Sequence, residues 1–84
     1  MIADLADLPN IGPKTAALLK EVGIDNVEAL RSAGAVGAYR RLKFRFPRQV
    51  SLNALWALHG ALAGVPWRSL DPDEKRRLKA ALSP

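Results

Sequence analysis

The chain has 84 residues, 49% apolar and 25% charged, with 13 Lys and Arg against 8 Asp and Glu for a net charge of +5. That length holds one domain with a modest core and no large enclosed substrate cavity, and the composition is that of a globular protein and not of a disordered tail. The lack of cysteine and the single histidine exclude disulfides, thiolate-held metals, iron–sulfur clusters, thiol catalysis and histidine metal clusters, so no cofactor is expected. No stretch is long enough to span a bilayer, and the first residues, with Asp4 and Asp7, lack the basic start of a leader peptide. A cytoplasmic location without a membrane partner is the expectation.

Ala and Leu dominate and period-two runs of β-branched residues are missing, which predicts an all-α fold: a compact bundle of about five to six short helices forming one domain over 1–84. Asp4 caps a short first helix ending near Leu8, and Pro9 to Gly12 form a turn. Pro13 stands at the first position of a second helix that runs through Ala16, Leu19 and Val22 to a stop at Gly23. Asp25 with Glu28 makes a capping-box pattern for a third helix ending near Gly34. A fourth, from about Ala35 to Phe46, presents Val36, Tyr39, Leu42 and Phe46 at helical spacing before Pro47 stops it. Ser51 caps a fifth, "SLNALWALHGALAG", apolar on nearly every side and so the expected central helix, leaving at Gly64. Asp71, Pro72 and Glu74 supply the cap, the first-turn proline and the capping-box acid of a last helix ending near Leu82.

The turn before the second helix carries the first candidate site. Amides at a helix N-terminus lack intrahelical partners and the helix dipole favours negative charge there, while Lys14 and the Thr15 hydroxyl add side-chain contacts. The stretch "LPNIGPKTA" resembles the helix-hairpin-helix motif of DNA repair and recombination proteins, with Leu8, Pro9, Ile11, Gly12 and Ala16 in register and Asn10 in place of the first glycine. Asparagine tolerates the left-handed conformation such a turn needs. Lys14 also falls where the endonuclease III type of DNA glycosylase places its catalytic lysine. Those enzymes need a downstream aspartate and a second domain, and here no acid occurs between Glu28 and Asp71. Catalysis is therefore rejected. Two readings stay open for Asn10, Ile11, Gly12, Lys14 and Thr15: a grip on a phosphate backbone, or a structural corner.

The second candidate is "YRRLKFRFPR", residues 39–48, which interleaves cations and aromatics without an acid. Helical geometry turns Tyr39, Leu42 and Phe46 to the core and Arg41 and Arg45 away from it. Arg40, Arg41, Arg45 and Arg48 are candidate phosphate contacts, or else a solvated face whose stems cover apolar surface. Phe44 is either an exposed contact residue or packed under the loop to Ser51. His59, in an apolar segment with no acid or serine arranged to make it a catalyst, reads as a packed core or boundary residue. Trp56 and Trp67 read as core and as cover over the last helix, with base stacking on Trp67 a minor alternative.

Taken in order, "LPNIGPKTAALLKEVGIDNVEALRSAGAVGAYRRLK" followed by "LNALWALHGALAGVPWRSLDPDEKRRL" resembles the C-terminal domain of the TfoX (Sxy) family over nearly the whole chain. The resemblance implies a bundle of the helix-hairpin-helix or SAM-like kind and a link to bacterial natural transformation, in which members activate competence genes together with the cyclic-AMP receptor protein. It supplies no catalytic residues. Full-length members carry a separate N-terminal domain, and the match here covers the C-terminal module. The expected function is a non-enzymatic, DNA-binding or DNA-associated regulatory module that contacts phosphates without reading sequence. The alternative is a protein-interaction module docking on a transcription factor or polymerase. Neither takes a small-molecule substrate.

Overall fold

The computed structural model describes residues 5–82, so the expected cap at Asp4 lies outside the described residues. Among these every regular element is helical: a 3₁₀ turn at Leu5–Asp7, then α1 (Pro13–Glu21), α2 (Val27–Arg45), α3 (Leu52–Ala63), a second 3₁₀ turn at Trp67–Ser69, and α4 (Pro72–Leu82). The count is four α-helices instead of five to six, because the predicted first helix is a 3₁₀ turn and the predicted third and fourth run on as α2. Their division survives as a kink: Gly34 sits at φ 75°, ψ 165° inside α2, a backbone region open essentially to glycine alone.

Local chemistry sets the ends. Pro13 occupies the first turn of α1, where its missing N–H costs nothing. Asn26, and not Asp25, caps α2, its Oδ1 accepting from the Ala29 amide at 2.8 Å. The capping pattern of Asp25 and Glu28 is thus displaced by one residue, since an asparagine beside an aspartate serves the cap equally well. Ser51 occupies the cap of α3 without a side-chain hydrogen bond, and the helix leaves through Gly64 at φ 75°, as expected. Asp71 Oδ1 accepts from the Asp73 amide at 3.0 Å and caps α4. Glu74 does not complete a capping box there, because its carboxylate is taken by His59.

The core is one cluster. Leu5, Leu19, Ile24, Leu30, Leu42, Leu55 and Leu58 are its largest fully buried side chains, drawn from every helix except α4. Burying each contributes about 2 kcal/mol of transfer free energy. α3 is the central element: Leu55, Trp56, Leu58 and Ala61 are buried, and α2 packs along it. α4 holds no fully buried residue and lies on the body through half-buried Leu78 and Leu82. Lys75 adds a contact from the same helix, its Nζ 5.8 Å from the ring centres of both Trp56 and Trp67.

Candidate functional site

The turn between the first 3₁₀ segment and α1 is shaped by Asn10. Its φ of 69° is the one positive value at a non-glycine among the described residues, and its side chain is fully engaged. Nδ2 donates to the Val65 carbonyl at 2.9 Å and more weakly to Ala57 at 3.4 Å, while Oδ1 accepts from the Trp67 amide at 3.1 Å. The residue that replaces the motif's glycine is therefore a staple from the turn to the segment after α3. Gly60 makes room for it: a Cβ there would lie 2.6 Å from Asn10 Nδ2 and 2.7 Å from the Val65 carbonyl oxygen.

Ile11 is 4% exposed, so its side chain is core and only its backbone borders the surface. Gly12 is exposed with extended backbone at the cap of α1, and no neighbour stands within 4 Å of where a Cβ would be. Lys14 is exposed and Thr15 half-buried in the first turn, and neither makes a side-chain hydrogen bond or ion pair with another described residue. Their amides fall among the first-turn N–H groups that a helix leaves unsatisfied.

The predicted basic helix is the C-terminal half of α2. Tyr39 and Leu42 are buried and Phe46 half-buried, while Arg41 and Arg45 are exposed, as the spacing predicts. Its cations divide in a way the sequence does not show. Arg40 donates to the Ala81 carbonyl at 2.9 Å and ties α2 to the end of α4. Lys43 Nζ donates to the carbonyls of Pro47 at 2.9 Å and Val50 at 2.7 Å, closing the loop that follows α2. Arg45 lies over the Phe46 ring at 5.0 Å. Arg41 and Arg48 are exposed and bond to no other described residue. Phe44, left open between two positions, is 90% exposed and is the one large hydrophobic residue so exposed among those described.

Two open grooves join these parts. One, of about 400 Å³, has Lys14 and Thr15 on one wall, Gln49, Ser51 and Asn53 on the other, and an apolar floor that includes Leu18 and Val50. The other, of about 320 Å³, runs from Arg45 across Phe46 and Pro47 to Arg48 and Gln49. Gln49 lines both, and no acid lines either groove. Gln49 and Asn53 carry no sequence signal that would have singled them out.

Acids gather elsewhere. His59 Nε2 lies 3.1 Å from Glu74 Oε2, and this pair lines a groove of about 330 Å³ with Asp71, Asp73 and Arg77. No acid stands near His59 in sequence, and the fold brings Glu74 across from α4. Asp73 is in turn paired with Arg76 on its own helix. Among the described residues no group of three or more His, Asp or Glu is placed to hold a metal ion, and no helix is long and apolar enough to cross a membrane. Trp67 has Arg68 at 5.7 Å and Lys75 at 5.8 Å from its ring centre, so its faces are not bare for stacking.

Fold and surface together define a small helical module whose polar features lie in open grooves and not in an enclosed pocket. The chain belongs to the TfoX C-terminal domain family, whose model matches residues 1–82. The DNA transformation protein TfoX1 of Aliivibrio fischeri is 30% identical over 74 residues, and the protein Sxy of Escherichia coli K12 is 36% identical over 74 residues. Each match covers 88% of this chain and 35% of the relative, so the chain spans about a third of the length of these relatives. An uncharacterized protein from Listeria monocytogenes, in a triclinic crystal form, superimposes with a TM-score of 0.86 at 35% identity, covering 92% of this chain and 86% of the other. A protein of unknown function from the same species, in a tetragonal form, gives 0.85 at 33% identity with 93% and 94% covered.

Proposed function

We propose that this domain is a non-enzymatic module of bacterial DNA transformation that contacts the phosphate backbone of DNA without reading its sequence. The observation that supports the reading is that the groove bearing Lys14 and Thr15 and the groove bearing Arg45 and Arg48 both reach Gln49 and neither is lined by an acid. Backbone contact needs mobile cations, unpaired amides and no opposing carboxylate, and it needs no pocket. Arg41 extends the same half of α2. The link to transformation rests on the family and on the A. fischeri relative, a DNA transformation protein. The staple at Asn10 gives the turn a dual role: Asn10 and Ile11 hold it to the core, and Gly12, Lys14 and Thr15 offer it to the ligand.

Titration with duplex DNA at two salt concentrations tests the reading. Four phosphate contacts, from Lys14, Arg41, Arg45 and Arg48, give a log–log salt slope of about −3.6, so affinity falls about 150-fold between 50 and 200 mM salt. No binding at low salt, or binding indifferent to salt, refutes it. A second reading, a docking surface for a regulatory protein, has the exposed Phe44 as its candidate contact. It predicts partner capture that survives alanine at Lys14, Arg45 and Arg48 and is lost at Phe44→Ala.

A further inference from the structure

We infer that the α2 end of this surface is built for unpaired nucleotides, with Phe44 as a stacking platform for an exposed base and the arginines around it as the phosphate clamp. The inference rests on the DNA reading above and narrows it to single-stranded nucleic acid. Phe44 is 90% exposed, and of its near neighbours on the helix surface Arg41, three residues before it, is a free cation while Arg40, four before it, is held by the Ala81 carbonyl. Arg45 follows it directly, and Arg48 borders the groove that opens past Phe46 and Pro47. A solitary exposed ring whose neighbours at helical spacing are arginines lacks the apolar core that a protein interface needs, because the middle of such interfaces is depleted of charge. It is the composition of a single-strand site, where cations track the backbone and an aromatic ring takes the face of any base. An intact duplex gives the ring nothing, since its bases are already stacked on each other and present only edges in the grooves. The acid-free sequence from Arg31 to Leu70 keeps the approach of a polyanion unopposed.

The test compares a fluorescein-labelled oligothymidine of 15 nucleotides with a duplex of the same length, at low salt, by anisotropy, on the whole domain. The wild-type chain is expected to hold the single strand about 10-fold more tightly than the duplex. Phe44→Ala is expected to erase that preference with duplex affinity unchanged, and Phe44→Trp to keep it and to show quenched tryptophan emission on binding. So exposed a side chain does not carry the fold, and circular dichroism of both variants confirms this independently. Equal affinity for the two forms, or single-strand binding that survives Phe44→Ala, overturns the inference while the DNA reading stands. In that outcome the ring belongs to a protein contact. Failure of the wild-type chain to bind either form overturns both.

Discussion

Replacing Asn10 by alanine removes a side chain that holds three backbone groups, and the structure sets the cost. Val65 loses a donor at 2.9 Å and the Trp67 amide loses its acceptor at 3.1 Å, in a half-buried setting. Each stranded group costs about 1 kcal/mol, and the weaker bond to Ala57 adds little. Alanine must also adopt the positive φ of 69°, which adds about 1 kcal/mol. The expected loss is about 3 kcal/mol from a total on the order of 8 kcal/mol for a domain of this length. Glycine loses the same bonds without the dihedral strain and falls by about 2 kcal/mol, even though it restores the residue common at this place in hairpin motifs. Urea denaturation followed by circular dichroism reads both values, provided the m-value is unchanged. A loss below about 1 kcal/mol for Asn10→Ala, or an Asn10→Gly variant less stable than the alanine, refutes the staple.

Gly60→Ala, which in an ordinary helix gains about 1 kcal/mol, is expected here to cost about 2 kcal/mol through contact with Asn10 and the Val65 carbonyl. In an Asn10→Gly background the penalty shrinks, and a double-mutant cycle in urea measures that coupling. Gly34→Ala is expected to cost on the order of 2 kcal/mol because no L-residue is at ease at φ 75°, ψ 165°, and a thermal melt detects it. Lys43→Ala and Arg48→Ala separate structure from binding. The first is expected to lower stability by about 1–2 kcal/mol with the salt slope of DNA binding unchanged. The second leaves stability within about 0.5 kcal/mol and makes the slope shallower by about 1.

Local signals carried most of the fold. Helix exits at Gly23 and Gly64, the first-turn Pro13 and the Asp71 cap follow from single residues and their immediate neighbours, and the structure has each where the pattern puts it, while the stop expected at Gly34 is a kink within α2. Asn26 in place of Asp25 is a slip of one residue between two equally able caps. What stayed hidden depends on residues far apart in the chain. Asn10 looks like a weakened motif until Val65 and Trp67, 55 and 57 positions on, come to meet it. Glu74 has the spacing of a capping acid, and only the packing of α4 on α3 gives it to His59. The arginines and lysine of α2 are alike in sequence. Their division into struts, Arg40 and Lys43, and free cations, Arg41 and Arg48, is set by which carbonyls the loop and α4 bring within reach.

The Asn10 staple also orders events in time. The turn has a local backbone bond, from the Ile11 amide to the Leu8 carbonyl, but the bonds of the Asn10 side chain need a partner segment more than fifty residues downstream. Non-local contacts of that span are made late, after the loop-closure entropy between them has been met. On the ribosome the bond from the Trp67 amide to Asn10 thus forms only once Trp67 has emerged. A nascent chain halted before that point carries Lys14 and Thr15 without the long-range bonds that fix the turn before them.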